Sequence, residues 1–333
     1  MELVGRDAEL RVLRDALAAA RTGRGGLVLV NGPAGMGKSA LVAAFGDEAA
    51  RAGATVLEGS GWESGGAPAY WPWIQVLRAL VRVAGLPAVR GWAGPDLPWV
   101  AHLLPELGTP GPNAPGTSDG ARFALVDAVS GVLLRAATER APMLAVLDDL
   151  HVAGGATARL LQFLAREARR TPLLIVATYR PVEAGWDPQV GEVVAALEAV
   201  SPPLRLPALD HGEIVALVTR TSGRTPSGDL AAAVTGRTGG NPLFVAEVAR
   251  LVAVGTDGDW PVPPGIRQAI RARVDRLPAV APTLAVAAVL GRDVEPALLA
   301  ELLGVPPAEL VAPLATAVDA QLLRSAACHR VRS

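Results

Sequence analysis

Residues 27–40 read LVLVNGPAGMGKSA, and no other stretch limits the fold so tightly. LVLVN is a short β-branched apolar run, the composition of a buried strand. Glycines follow at 32, 35 and 37, then Lys38 and Ser39, in the spacing G-x-x-x-x-G-K-S. KSALVAAFGDEAARAG then reads as a helix closed by Gly53. A strand that turns through glycines into a helix makes a nest of backbone N–H groups, and the helix adds its positive end. Such a turn holds an anion, and phosphate in particular. Cβ atoms would keep a phosphate oxygen away from the backbone. Glycine removes that obstacle and permits positive φ, expected at Gly32, Gly35 and Gly37.

Lys38 is the only lysine in the chain; the other thirty basic residues are arginine. Heavy Ala, Gly, Pro and Arg usage fits GC-rich coding, which leaves the one lysine to be explained. A compact ammonium on a flexible stem suits a terminal phosphate inside the nest, whereas a planar guanidinium fork suits open bidentate contacts. The loop as a whole, Gly32, Pro33, Ala34, Gly35, Met36, Gly37, Lys38, Ser39 and Ala40, is therefore the expected nucleotide contact. The Ser39 hydroxyl is an expected ligand of Mg²⁺.

With 333 residues, two or three domains are expected. Half the residues are apolar and only 19% charged, so the chain folds rather than staying disordered. A formal net charge of −1 argues against a general polyanion binder. The single cysteine, Cys328, has no internal disulfide partner, which fits a reducing compartment. The N-terminal MELVGRDAEL lacks the apolar core of a signal peptide, and the longest apolar runs fall short of a membrane span. A cytoplasmic protein with no membrane partner is expected.

Along the chain, Leu10, Leu13 and Leu17 recur at helical spacing within 6–22. TVLEGSG reads as a second strand. Residues 62–117 hold Trp62, Tyr70, Trp71, Trp73, Trp92 and Trp99, aromatics expected to pack a core. A helix follows Pro72, ELGTPGPNAPGTSDG reads as a loop, and a long helix spans about 118–140. PMLAVLDDLH, ATARLLQFLAREARR and TPLLIVATYRP then give strand, helix and strand. Short buried strands alternating with helices predict an α/β fold with a parallel sheet flanked by helices. After Asp210 three helices are expected, in HGEIVALVTRT, SGDLAAAVTGRTGG and NPLFVAEVARLVAVG. GTDGDWPVPPG reads as a linker, and 264–323 as three or four further helices.

The apolar run MLAVL ends in Asp148 and Asp149. A phosphate-loop site needs a carboxylate at the end of a neighbouring buried strand to hold Mg²⁺, and Asp148 fits. Asp149 beside it suits orientation of an attacking water. His151 reads as a helix-start hydrogen-bonding residue. The next strand ends ATYRP, where Thr178 and Arg180 are placed to sense a terminal phosphate through charge-assisted hydrogen bonds.

LVGRDAEL, PAYWPWIQVLRAL and TGGNPLFVAEV join the phosphate loop and LAVLDDLH in a pattern that resembles the STAND class of signalling P-loop ATPases, relatives of AAA+ and origin-recognition ATPases. More narrowly, the chain is similar to the N-terminal ATPase module of large actinobacterial LuxR-type ATP-binding regulators. The resemblance covers nearly all of the chain. It implies Val4 and Arg6 beside an adenine base, Pro242 closing over the nucleotide, and Arg180 at the first sensor position. It also implies residues 1–207 as a P-loop nucleotide-binding domain, 208–258 as a helical lid subdomain and 259–333 as a winged-helix-like domain. The family pattern after DDLH continues with Trp and a second Asp; here it is Val152, Ala153 and Gly154. Family members also carry a helical sensor array and a DNA-binding helix-turn-helix. This chain ends at SAACHRVRS with neither, as expected of a fragment, an engineered piece or a short standalone ATPase.

The expected function is thus a Mg²⁺-dependent switch that binds ATP or ADP and hydrolyses ATP slowly, with a protein partner or sensor domain. A AAA+ motor and a small-molecule kinase are the rival readings, and a DNA-binding initiator-like ATPase a lesser one. Arg267, Arg271, Arg273 and Arg276 cluster near the C-terminal region. A near-neutral chain with such a cluster fits a solvated face or lid contact better than direct DNA binding.

Overall fold

In the computed structural model, strands β1 (Gly26–Asn31), β2 (Thr55–Ser60), β3 (Met143–Asp148), β4 (Leu173–Tyr179) and β5 (Leu204–Arg205) form one parallel sheet. Their order is β2-β3-β4-β1-β5. The structure describes residues 3–62, 66–112, 116, 118–140, 142–181, 186–253, 267, 271, 274–275, 277–290, 294–319 and 322–323. The expected linker 255–265, Arg273, Arg276, Cys328 and the closing SAACHRVRS lie outside the described residues.

The middle of the sheet shows why the strand runs are almost wholly apolar. Every residue of β4 is buried, and every residue of β3 except Asp148. Side chains alternate between faces with a period of two. Met143, Ala145, Leu147, Leu173, Ile175, Ala177 and Tyr179 enter one core, whereas Leu144, Val146, Leu174 and Val176 enter another. A parallel sheet covered on both faces needs such runs.

The second face is covered by α1 (Asp7–Arg21) and α2 (Lys38–Arg51), through Leu13, Leu17, Leu41, Val42 and Phe45. The first is covered by α3 (Trp71–Ala84), α4 (Leu86–Ala93), α5 (Leu97–Val100), α6 (Asp119–Glu139), α7 (Gly154–Glu167) and α8 (Pro188–Glu198). The aromatic-rich stretch does pack here. Trp73 and Trp92 are buried, and Trp73 Nε1 donates to the Thr157 carbonyl of α7 at 3.1 Å. Trp62 is the exception and stands exposed.

Helices α4, α5 and α8 and strand β5 are not among the elements expected from the sequence. The two-residue β5 is too short for any periodicity, and prolines flank it. Helix α8 did leave a signal, Asp187 before Pro188, a cap followed by a first-turn proline. Asp187 Oδ1 accepts from Gln189 N at 2.9 Å, and Oδ2 accepts from Gly155 N at 3.0 Å, which joins the starts of α7 and α8.

After the sheet, α9 (His211–Ser222), α10 (Gly228–Thr238) and α11 (Pro242–Ala253) surround a core of Ile214, Val218, Val234, Val245 and Ala249. A reciprocal cap starts α9: Glu213 N donates to Asp210 Oδ1, and Asp210 N to Glu213 Oε2, each at 2.8 Å. Among the described residues, further helices span Ala281–Leu290, Pro296–Leu303 and Val311–Asp319. Among the described residues no strand follows Arg205, and no single helix is long and apolar enough to cross a membrane.

Trp73→Phe tests the packing of α3 on α7. It removes the indole donor, while the Thr157 carbonyl keeps its bond within α7, so the loss is that of one hydrogen bond, about 0.5–1.5 kcal/mol. Urea unfolding is expected to show a lower midpoint with an unchanged slope.

Candidate nucleotide site

Parallel strands end on one side, so β1, β3 and β4 deliver their last residues to one edge of the sheet. From β1 the chain runs into the glycine turn. Gly35 and Gly37 take positive φ, +82° and +87°. Gly32 does not: its need is space, since a Cβ there would lie 3.3 Å from Leu206 Cβ. The expectation of positive φ at all three glycines is corrected accordingly. A Cβ on Gly37 would project into open space at the start of α2, the cradle an anion requires.

Within the loop, Lys38 is 6% exposed, and its Nζ donates to the Gly32 carbonyl at 2.6 Å and the Pro33 carbonyl at 3.1 Å. The ammonium is thus held inside the turn. Met36 turns its side chain into the core, so only its backbone faces the loop surface. Ser39 is exposed at the first turn of α2, and Ala40 and Ala34 are half-buried.

Asp148 and Asp149 were expected on a strand adjoining β1. In the sheet β4 lies between β1 and β3, so the acid strand is one place further away. The reason is visible in the side chain that fills the gap. Thr178 of β4, in register with Val30, donates a short hydrogen bond from Oγ1 to Asp148 Oδ1. Thr178 Oγ1 in turn accepts from Asp149 N at 3.0 Å. Thr178 is fully buried and orients both acids. Besides standing at the strand end expected to sense a terminal phosphate, Thr178 is bonded to the acidic pair, a contact the sequence does not show.

Asp149 occupies the left-handed region at φ +55° and ψ +50°, which Asp and Asn tolerate better than other side chains. The turn packs tightly on the end of β2: a Cβ on Gly61 would lie 2.4 Å from the Asp149 carbonyl. His151 follows within a 3₁₀ turn, buried, with Nδ1 3.8 Å from Asp149 Oδ1 and its ring tilted against Trp186 at 5.9 Å. It packs beside the acid rather than starting the next helix. Tyr179 closes β4 and donates its hydroxyl to Glu198 of α8. Burial first, and then that carboxylate, push its phenol well above the usual range. Arg180 comes next, half-buried just past the strand.

Two contacts bring distant chain to the loop. Arg6 is 3% exposed and donates from Nη1 to the Gly5 carbonyl at 2.9 Å. Its Nη2 reaches Met36 O at 3.2 Å and Pro207 O at 2.9 Å. Burial lowers its pKa, while Glu9 and Glu213 pull the other way. Val4 packs on the core of α9 and α11. From α11, Asn241 Nδ2 donates to Ala34 O at 3.0 Å, its Oδ1 accepts from Leu243 N at 3.1 Å, and Leu243 N also reaches Gly35 O at 3.2 Å. Pro242 sits at the first helical position, where its missing N–H does no harm. Asn241, which the sequence did not single out, makes the contact to the loop; asparagine before a helix-starting proline was the available signal.

These residues fit a nucleotide with its metal. The glycine cradle is open, the lysine lies inside it, and Ser39 and Asp148 offer only hard oxygen donors. Among the described residues no cluster of three His, Cys, Asp or Glu side chains could hold a metal alone. That suits Mg²⁺, which is held by one or two protein oxygens together with phosphates and water.

A family model described as an AAA ATPase domain matches residues 2–176, and the chain belongs to that family. It is an AAA-type P-loop ATPase domain followed by a helical region. Among solved structures, the Walker-type ATPase of Pyrococcus abyssi has the same fold, with TM-score 0.58 and 16% identity over 95% of this chain and 89% of that one. A signal transduction ATPase with numerous domains from Pyrococcus horikoshii, bearing a tetratricopeptide repeat sensor, aligns at TM-score 0.47 and 15% identity. That alignment covers 97% of this chain and 40% of the other. DnaA from Aquifex aeolicus with bound AMPPCP aligns at TM-score 0.44 and 13% identity, over 85% and 71%. A search of curated proteins gave no match.

Thr178→Val keeps the shape of the side chain but removes its hydroxyl. It leaves Asp148 Oδ1 and the Asp149 N–H without that partner, at a cost of about 1–3 kcal/mol. The expected outcome is a lower melting temperature together with a reduced difference between nucleotide affinities measured with Mg²⁺ and with EDTA.

Proposed function

We propose that this chain is the ATPase module of a regulatory protein of the STAND type, similar to actinobacterial LuxR-type regulators. In this reading it binds ATP or ADP, hydrolyses ATP slowly, and reports which nucleotide it holds through the helical region. The observation that carries the reading is the pair of hydrogen bonds from Asn241 and Leu243 to Ala34 and Gly35. A phosphate loop whose carbonyls are gripped by a separate helical core is coupled to that core. Arg6 strengthens the coupling by holding Met36 and Pro207 together.

In this reading the residues divide the work as follows. Lys38 moves between its loop carbonyls and a terminal phosphate, and backbone N–H groups from Gly35 to Ala40 hold the phosphate chain. Ser39 and Asp148 would hold Mg²⁺, which when bound neutralises charge on the phosphates. Asp149 orients a water through its carboxylate, in a backbone geometry set by Thr178. Arg180 is assigned to the γ-phosphate and Pro242 to the rim of the nucleotide pocket. Val4 and Arg6 lie at the seam between loop and helical core, where the resemblance puts the adenine base.

A switch works only through differential affinity. Shifting a population from 1:99 to 99:1 needs about 5.5 kcal/mol between states. A few charge-assisted hydrogen bonds to one γ-phosphate, at about 1.5–3 kcal/mol each, are of the right size. A protein partner or sensor domain would read the result. Direct DNA binding is not part of this reading: Arg267 and Arg271 are exposed helical positions in a chain of net charge −1.

Lys38→Ala is expected to weaken ATP binding by about a hundredfold, read by calorimetric titration. Asp149→Asn preserves the left-handed turn, because asparagine tolerates it. It is expected to retain ATP affinity while phosphate release falls by about 100-fold or more. ATP affinity unchanged in Lys38→Ala would refute the assignment. Phosphate transfer to an added small-molecule hydroxyl in place of release would favour the kinase reading.

A further inference from the structure

A cavity of about 390 Å³ opens between the start of α3, one face of α6 and one face of α7. None of its lining residues belongs to the phosphate loop, the acidic pair or the α9–α11 core. The nucleotide reading therefore leaves it without a role.

The walls are of two chemical kinds. Phe123 and Phe163 form an apolar lip, edge to face at 5.7 Å and 89°. Phe123 is nevertheless 60% exposed, so the ring stands at the mouth of the cavity rather than in a core. Arg122, Arg159 and Arg166 line the same space, against the single carboxylate of Asp119. Asp119 bridges Arg122 at 2.8 Å, but its side chain is 97% exposed, so the pair is weak and easily exchanged.

The floor is Tyr70, only 6% exposed. Its backbone is left-handed at φ +64°, a genuine outlier for a bulky side chain. Such a conformation persists only where its surroundings enforce it. Here Pro72, Trp73 and Ile74 anchor the following turn in the core. Tyr70 lines the same cavity as Arg122 and Arg159. Burial raises the pKa of its phenol, and the charges of Arg122 and Arg159 oppose that rise.

We propose that this cavity is a binding site for a small aromatic acid, whose ring rests against Phe123 and Phe163 and whose anionic group lies between Arg122 and Arg159 above the Tyr70 hydroxyl. The volume falls within the range of about 300–1,000 Å³ usual for small-molecule sites. Guanidiniums give the strongest recognition of a planar or tetrahedral anion, and the phenol adds a neutral donor. Carboxylate, sulfonate and phosphate share this chemistry, and the choice of probe separates them. The site does not depend on the nucleotide reading and is open to test without it.

The test is calorimetric titration of the full chain with 2-naphthoate, naphthalene-2-sulfonate and phenyl phosphate, and with uncharged 2-naphthamide. At least one acid is expected to bind, with the amide weaker by about tenfold or more. Arg159→Gln and Phe123→Ala, both at exposed positions, are each expected to weaken the acid by about tenfold, whereas Lys38→Ala leaves it unchanged. That last control separates this cavity from the phosphate loop. The proposal is overturned if no acid binds, if the amide binds equally well, or if neither cavity variant has an effect. Recognition only of an acidic aromatic peptide would overturn it too.

Discussion

A charge has no place in the middle of a parallel sheet buried on both faces, and this constraint organises the molecule. β3 and β4 are apolar until their last residues, and only at the carboxyl edge does polar chemistry begin. There Asp148, Asp149, Thr178 and the glycine turn share one rim because all the strands run the same way. The Thr178 hydroxyl joins Asp148 and Asp149 in a single hydrogen-bonded unit. That unit ties down the left-handed turn at Asp149, on the same edge of the sheet as the loop that holds Lys38. A buried charge must be compensated where it sits: the Lys38 ammonium is met by the Gly32 and Pro33 carbonyls, and half-buried Asp148 by the Thr178 hydroxyl.

The grip of the helical core on the loop follows from the same logic. Backbone carbonyls in a glycine-rich turn have no helix or sheet partner of their own. Ala34, Gly35 and Met36 find theirs in Asn241, Leu243 and Arg6, residues far away in the chain. The loop is therefore not a free-standing anion nest. Its shape is shared with α11 and with the segment at Pro207, so a change in the loop has a mechanical path into the helices. The glycine turn and the start of α11 are parts of one hydrogen-bonded arrangement.

Much of this was legible in the sequence because local patterns carry it. The run LVLVN, the glycine spacing and the helix after Lys38 fixed one strand, one turn and one helix. MLAVLDD and LLIVATY identified two more buried strands by their near-continuous apolar character. What stayed hidden depends on order in space rather than order in sequence. That β4 lies between β1 and β3 is a matter of topology, and from it come the bonds of Thr178 to the acidic pair. Asn241 was overlooked because its amide is defined by a partner about two hundred residues away. Gly32 was misread for a subtler reason: spacing marks a glycine, but only packing against Leu206 tells whether space or φ demands it. The two residues of β5 left no periodic trace at all.

The central claim is that residues 32–39 wrap a triphosphate while Asp148 and Ser39 share its metal. The most direct measurement is a crystal structure with a non-hydrolysable ATP analogue and Mn²⁺ in place of Mg²⁺, the metal being located by anomalous scattering. The account predicts the metal peak between the Ser39 hydroxyl and Asp148, with Lys38 Nζ moved from the Gly32 carbonyl onto phosphate. A metal or nucleotide bound elsewhere, with Lys38 still closed on its own loop, would contradict it.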